Sequence, residues 1–488
     1  MTLPVWGFVT AIAYGVSWLI VLASLFVVPR NRRPGSATAW LMLIFLVPYV
    51  GLVLFWLIGS PKLSRRRREL QRGIDERIAA AVSAVQHDPI LGPVFAPPIS
   101  ARAEPLVRLA SNLGGMPVCV GNRIELLPDY DEAIASLTRA VSSALEYVHV
   151  EFYIMAMDAT TEPFFVALEQ AVRRGVKVRL LMDHIGSHKY PGRAAMGERL
   201  TRAGVEWRWM LPLRPFSNHW NRPDLRNHRK ILVADGHTAF TGSMNMIDRS
   251  YLLARNRRRG LYYVDLHSRI TGPLVAELDA VFRTDWYSET GEVLGPPPVS
   301  CSGANTVLGQ VLPSGSGYAD DNNRKVFVAL IHAARERLVI TSPYFVPDEA
   351  LMTAITSAAQ RGVHVTLYSS SVVDQYLVSH AQRSYYEQLL QAGVEIRLLR
   401  SPVLLHAKHL TVDDDLAVIG SSNLDMRSLT LNLEITLLAY DRGVVADLRR
   451  VEAAYHPQTD VLDLATWRAR PLAGQLLDNL ARLTAALQ

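Results

Sequence analysis

His228-Arg229-Lys230, four residues, Asp235, six residues and Gly242-Ser243-Met244-Asn245 form one phrase of this chain. His406-Ala407-Lys408, four residues, Asp413, six residues and Gly420-Ser421-Ser422-Asn423 form another. A single His-x-Lys pair carries little information. Two copies of the whole phrase at identical spacing mark a duplicated unit, each half lending one imidazole and one ammonium to a shared phosphate site. After each lysine comes an apolar β-type run, Ile231-Leu232-Val233 or Leu410-Thr411-Val412, and then a turn, Asp235-Gly236 or Asp413-Asp414-Asp415. Asp-Gly between apolar runs is a hairpin signal. With His and Lys on the first strand, their i, i+2 spacing sends both side chains to one face. Asp235 and Asp413 lie seven residues after the histidines, at the opposite parity. They are expected to brace the turns rather than join the chemistry.

The duplication extends outward. Arg174-Gly175-Val176-Lys177-Val178 parallels Arg361-Gly362-Val363-His364-Val365, and Ala203-Gly204-Val205-Glu206 parallels Ala392-Gly393-Val394-Glu395. The offset is 189 at Gly204 and Gly393 but 178 at the histidines, so the first copy holds about eleven extra residues around 216–227. Proline-rich stretches at 89–105 and at Gly295-Pro296-Pro297-Pro298 continue neither helix nor central strand. They bracket a first unit over 106–294, a linker over 295–305 and a second unit over 306–488. Inside the units, helical spacing (Ile134, Leu137, Val141 and Leu145, after Asp129 as an N-cap) alternates with β-type runs such as 147–154 and 176–182. That alternation predicts an α/β fold with a mixed or parallel sheet covered by helices.

The first 70 residues differ. Val5 to Val28 and Ala37 to Gly59 carry no charge, and each run exceeds the roughly 20 residues a helix needs to cross the hydrocarbon core. They predict a two-helix transmembrane hairpin over 1–62, with a basic linker region over 63–105. The length of the first run, its lack of a basic leader and the second run directly after it argue against a signal peptide. Arg30, Arg32 and Arg33 occupy the turn, and Lys62, Arg65, Arg66, Arg67 and Arg68 follow the second run. This imbalance places both ends and the catalytic body on the cytoplasmic side. Trp6, Trp18, Trp40, Tyr49 and Trp56 are available as interfacial anchors. In the tail, Leu472, Leu476, Leu480, Leu483 and Leu487 form an apolar helical stripe. It is expected to pack on the second unit, with the bilayer as the alternative.

The chain has 488 residues, a formal net charge of +6 and a sequence pI near 9.3, a balance that fits nucleic acid or acidic lipid as partner. Cys119 and Cys301 form no metal or disulfide framework and read as free thiols. The candidate site joins His228, Lys230, Ser243 and Asn245 to His406, Lys408, Ser421 and Asn423 across a pseudo-twofold axis. Two ammoniums and short polar donors suit a phosphodiester, whose transition state spreads charge over its nonbridging oxygens. Two histidines suit a two-step transfer, one attacking phosphorus while neutral, the other protonating the leaving alcohol. Such roles require opposite tuning and an acid to fix each imidazole. Asp265 and Glu434 are the candidates, each a short way downstream of its own motif. A cation beside each imidazole disfavours a metal site, no HExxH or EF-hand loop appears, and Ser314-Gly315-Ser316-Gly317 lacks the Walker lysine and reads as a loop near the site. No metal or cofactor is expected.

These phrases resemble the HxKxxxxD motifs of the phospholipase D superfamily, most closely those of its bacterial cardiolipin synthases, and the resemblance spans nearly the whole chain. It includes the paired apolar runs with Ala39-Trp40 and Pro48-Tyr49-Val50-Gly51, and Asp224-Leu225-Arg226-Asn227 before the first motif. It continues with Ser342-Pro343-Tyr344-Phe345-Val346-Pro347, Asn423-Leu424-Asp425-Met426-Arg427-Ser428 and Leu431-Asn432-Leu433-Glu434. The resemblance implies two homologous phospholipase D-like α/β lobes with pseudo-twofold symmetry behind the transmembrane hairpin. It implies metal-independent transfer of a phosphatidyl group through a phosphohistidine, from one phosphatidylglycerol to another, releasing glycerol. It implies an inner (plasma) membrane location, with phosphatidylglycerol and other anionic phospholipids, and not nucleic acid, as partners. By motif position His228 and His406 carry over as nucleophile and general acid, with His228 taken as the nucleophile; Lys230, Lys408, Asp235 and Asp413 carry over as motif members. The chain departs from many relatives in having Tyr263, not Trp, two residues before Asp265. The arginine run within Ala254-Arg255-Asn256-Arg257-Arg258-Arg259-Gly260 reads equally as a grip on acidic lipid or as a solvated loop. Water as acceptor would make the same first step hydrolytic. A catalytically silent binding protein is disfavoured by two intact motifs.

Overall fold

The computed structural model describes residues 5–30, 34–59, 65–213, 222–301, 306–372 and 374–483. Arg32, Arg33, Lys62, Leu487 and most of the expected insertion, at 214–221, lie outside the described residues.

The amino-terminal region corrects one expectation. Helix α1 (Val5–Val27) is a single apolar helix, the one among the described residues long and apolar enough to cross a membrane. The second apolar run is instead two short helices, α2 (Pro34–Leu46) and α3 (Pro48–Ile58). Pro48 has no N–H to continue the helix, and it pushes Val47 to φ −139° and ψ 76°. The chain then folds back. The Trp40 and Phe55 rings meet edge-on at 5.5 Å, where a straight helix would hold them roughly 22 Å apart. Gly51 permits the return, since a Cβ there would sit 2.7 Å from the Ile44 Cα. The Tyr49 hydroxyl donates to the Ala13 carbonyl of α1 at 2.7 Å. Among the described residues, one helix of spanning length is followed by a folded-back pair, where a two-span hairpin over 1–62 was expected.

The stretch expected as a basic linker contains α4 (Arg65–Gln86), which buries Ile74 and pairs Arg67 with Glu289. Helix α5 (Glu104–Gly114) follows. Although α5 lies at the start of the first unit, its Leu106 and Ala110 join a core with Val326, Phe327 and Leu330 of the second.

The strands of the first repeat are β1 (Cys119–Leu127), β2 (Tyr147–Phe152), β3 (Lys177–Asp183), β4 (Glu206–Met210), β5 (Lys230–Ala234), β6 (Thr238–Gly242), β7 (Tyr262–Val264) and β8 (His267–Thr271). Helix α6 (Leu274–Thr290) closes it. The second repeat holds β9 (Val307–Ser314), β10 (Arg337–Thr341), β11 (Phe345–Val346), β12 (His364–Ser370), β13 (Glu395–Leu399), β14 (Val403–Leu405), β15 (His409–Val412), β16 (Leu416–Gly420), β17 (Leu424–Asp425), β18 (Glu434–Ala439) and β19 (Thr459–Val461). It also holds helices α7 (Tyr376–Gln391) and α8 (Leu472–Arg482).

The fold is mixed α/β, and both repeats lie in one 15-stranded sheet. From its middle outward, β1-β8-β6-β5-β2-β3-β4 is matched by β9-β18-β16-β15-β10-β12-β13, with β19 added at the second edge. In each set of seven the outer two pairings are parallel, β2 to β3 to β4 and β10 to β12 to β13, and the inner ones antiparallel, while the added β19 runs antiparallel to β13. The halves meet where β1 pairs with β9. A second ladder crosses between them, β7 running parallel to β14, with a bridge from Asn227 to Leu433.

The tail departs from the expected packing. Helix α8 lies on α7, but it buries Asp478 and Ala481 while Leu472, Leu476, Leu480 and Leu483 are exposed. A buried ionic clasp sets this rotation: Asp478 accepts from His380 at 2.7 Å and from Arg470 at 2.8 Å.

Candidate active site

Both motif turns are hairpins. Strand β5 pairs with β6 and β15 with β16, with Asp235 (φ 52°) and Asp413 (φ 48°) at the corners. Asp235 accepts the backbone N–H groups of Leu145, Glu146 and Tyr147 at 2.8 to 2.9 Å. Asp413 accepts those of Arg335, Glu336 and Arg337 and pairs with Arg102. Burial alone would raise the Asp413 pKa, but these amides and Arg102 hold it below the usual carboxylate range. Each aspartate sits beyond the far end of its strand, roughly 3.3 Å per residue away from the motif histidine. Both thus lie at the turns, away from the imidazoles, although they share the motifs with the catalytic set.

The histidines come just before the strands, since β5 opens at Lys230 and β15 at His409. Each is pinned by the other repeat. The His228 N–H donates to the Leu433 carbonyl at 2.8 Å, and the His406 N–H to the Val264 carbonyl at 2.7 Å. The next residue along each partner strand is the acid. His228 Nδ1 therefore meets Glu434 Oε2 at 2.9 Å, and His406 Nδ1 meets Asp265 Oδ1 at 2.7 Å. The pairing is crossed: each imidazole takes its acid from the opposite half, although each acid follows the motif of its own half.

The motif serines are committed to these acids. Ser243 Oγ donates to Asp265 at 2.6 Å and accepts from the Leu266 N–H, while Ser421 Oγ donates to Glu434 at 2.5 Å and accepts from the Ile435 N–H. Glycine precedes each serine because the acid-bearing strand passes very close. A Cβ at Gly242 would lie 2.4 Å from the Leu266 carbonyl oxygen, and one at Gly420 2.5 Å from that of Ile435. Asn245 is part of the frame, accepting from the Ile154 N–H and donating to the Tyr251 hydroxyl. Asn423 donates weakly to Ser428 at 3.4 Å, and its Oδ1 is buried without a partner. Ser243, Ser421 and Asn245 thus hold other side chains, where the sequence pattern had placed them as phosphate donors. Lys230 Nζ donates to the His228 carbonyl at 2.5 Å and Lys408 Nζ to that of His406 at 2.6 Å. The Ser314-to-Gly317 loop lies beside the site, since Ser314 pairs in register with Glu434.

The two imidazoles differ electrically. Burial lowers the proton affinity of both. At His228 the charges of Lys230, Lys408 and His406 add to this, driving the pKa well below the ordinary value. At His406 the Asp265 carboxylate opposes the loss. The acids diverge too. Burial pushes Glu434 up to about 7 despite Lys230 and Ser421. Asp265 resists the same burial because His406 and Lys408 favour its anion, and it lies at about 2. Both lysines are lowered, chiefly by burial, Lys408 to about 8.

Aromatic rings complete the walls, and no repeat or spacing in the sequence marked most of them. Tyr153 stands edge-on to His228 at 4.8 Å, and Tyr251 and Tyr263 edge-on to His406 at 5.9 and 5.5 Å. Tyr263, flagged as a departure, also donates to Asp374 at 2.9 Å.

A family model described as cardiolipin synthase, phospholipase D-like domain, matches residues 137–286 and 327–453. A second, described as phospholipase D-nuclease N-terminal, matches residues 16–60. Cardiolipin synthase A of Proteus mirabilis is 34% identical over 470 residues, 95% of each chain. The protein of the same name from Yersinia pestis is 34% identical over 475 residues, again 95% of each chain. The crystal structure of phosphatidylserine synthase from Haemophilus influenzae shares the fold, with a TM-score of 0.58 at 17% identity over 78% of this chain and 98% of that one.

Proposed function

The chain belongs to the cardiolipin synthase family with phospholipase D-like domains, and from that premise we propose a phosphatidyltransferase that joins two phosphatidylglycerols into cardiolipin and glycerol by double displacement. The observation that carries the mechanism is the crossed pairing of two unequal imidazoles with two unequal acids. His228, kept neutral by burial and by the lysines, attacks phosphorus through Nε2 while Glu434 holds Nδ1. His406, whose imidazolium is supported by ionised Asp265, protonates the departing glycerol oxygen. A phosphatidyl-histidine remains. The acceptor's primary hydroxyl then gives its proton to His406 and attacks phosphorus, which frees His228. One P–O bond breaks and one forms overall, so no ATP is consumed. Lys230 and Lys408 face the nonbridging oxygens, and the phosphodiester anion restores the charge that burial disfavours. In this reading the two lobes are related by a pseudo-twofold axis through the site, and Asp235 and Asp413 serve as braces. The test is product analysis: protein purified in detergent should convert labelled phosphatidylglycerol to cardiolipin and glycerol in the presence of chelator. Phosphatidic acid as sole product would make it a hydrolase, and full loss with chelator would sink the metal-free route.

We also infer an inner (plasma) membrane anchor in which α1 crosses once and the α2–α3 pair re-enters from the side of the body. The folded-back geometry supports this, since neither short helix reaches the roughly 20 residues of a span. Charge supports it too. Two spans would place Arg30, Arg32 and Arg33 across the membrane from Lys62 and Arg65 to Arg68; re-entry gathers all of them on the cytoplasmic side, as the positive-inside bias favours. With Cys301→Ser as background, Thr2→Cys should react with an impermeant maleimide in intact cells and Asn31→Cys only after lysis. The reverse pattern would restore two spans.

A further inference from the structure

Helix α8 is amphipathic but turned inside out. Its polar side, through Asp478, is clasped by His380 and Arg470, and Arg383 lies 3.5 Å from the same carboxylate. Its leucines face away from the protein, with Leu472 76%, Leu476 65%, Leu480 62% and Leu483 80% exposed. A helix docked only for packing would bury that stripe; here the ionic clasp holds it outward. The neighbouring start of α7 adds exposed Tyr376 and Leu377.

The start of α7 links this face to the catalytic site through the chain. Two residues before Tyr376 lies Asp374, which accepts from the Tyr263 hydroxyl at 2.9 Å and the Tyr344 hydroxyl at 2.7 Å. The Tyr263 ring in turn stands 5.5 Å from His406. Charge also has a sign. In the segment 464–483 Arg468 and Arg482 are exposed, and the single acid, Asp478, is buried. Arg468 shares its charge with Glu387, and the Arg482 guanidinium sits 4.5 Å over the Tyr385 ring. Leucines flanked by arginine, with no acid exposed on the helix, match the headgroup boundary of an anionic bilayer.

We propose that α8, with the start of α7, is an interfacial membrane-docking face that seats the His406 side of the active site on the acidic phospholipid surface, a second attachment independent of α1. The advantage to catalysis rests on the phosphatidyltransferase reading, but the contact itself does not. The full chain with Cys301→Ser and Leu480→Cys, labelled with an environment-sensitive fluorophore and reconstituted in phosphatidylglycerol/phosphatidylethanolamine nanodiscs, tests it. The probe should be quenched by lipids spin-labelled near the headgroup. Separately, the Leu476→Glu/Leu480→Glu double variant should lose about tenfold in rate on bilayer phosphatidylglycerol. It should keep its rate on monomeric short-chain phosphatidylglycerol and its melting temperature. A probe left unquenched by labelled lipid, whether in water or covered by another protein copy, overturns the proposal, as does an equal loss on both substrates. The quenching result needs no turnover, so it stands or falls apart from the assigned reaction.

Discussion

Two hydrogen bonds give the histidines unequal surroundings: Nδ1 of His406 rests on an acid at about 2, Nδ1 of His228 on one pushed up to about 7. The consequences appear in kcat/KM against pH. Asp265→Asn removes the anion that supports the His406 imidazolium, so that proton is lost sooner. The alkaline limb should move to lower pH by about one to two units. Glu434→Gln removes a carboxyl that ionises near 7 in the free protein, so the acid limb near neutrality should flatten at a lower plateau. An unmoved alkaline limb in Asp265→Asn would mean that His406 is not the proton donor. The serines contribute through these acids, to which their hydroxyls donate.

At the scale of the element, Asp235 ties the β5–β6 corner to the start of β2 through three backbone amides. Asp235→Ala should cost about 1–2 kcal/mol by removing a charged acceptor that three amides share. The melting temperature should fall while kcat measured well below it changes little; a selective collapse of kcat would return Asp235 to the chemistry. Helix α6 carries a different liability. Glu277 is buried, accepts from the Val311 N–H at 2.7 Å, and burial raises it to about 8. A raised carboxyl binds its proton more tightly folded than unfolded, so stability falls as pH rises from the unfolded value toward 8. Glu277→Gln removes that dependence. Its melting temperature relative to the parent should climb from pH 5 to pH 8 and level off above, and a constant difference would contradict the assignment.

Across the whole molecule, the sheet makes the two repeats one cooperative body. The β1–β9 seam, the β7–β14 ladder and a core that mixes Ile231 and Ile270 with Ile419 and Leu437 all cross between them. Calorimetry should therefore show one transition for the body, with calorimetric and van't Hoff enthalpies equal. Two separable transitions would indicate independent lobes. The site depends on the same closure, because each imidazole and its acid are brought together only when both ladders form.

Local pattern was enough for much of this protein. The doubled phrase identified the duplication and the two imidazole–ammonium pairs. Opposite parity separated Asp235 and Asp413 from the histidines, and alternating periodicity specified α/β. These readings depend on neighbours within a few residues, where backbone geometry dictates which side chains share a face. Tertiary structure decided the rest. Hydropathy cannot distinguish one long apolar helix from two folded upon each other, because the turn at Pro48 is made stable by Gly51 meeting Ile44 across the pair. It cannot orient α8, whose rotation is held by a buried carboxylate against His380 rather than by its leucines. Nor does it reveal that Glu434 serves His228 and Asp265 serves His406. That exchange joins residues 206 and 141 positions apart, and only strands paired between halves bring them within a hydrogen bond.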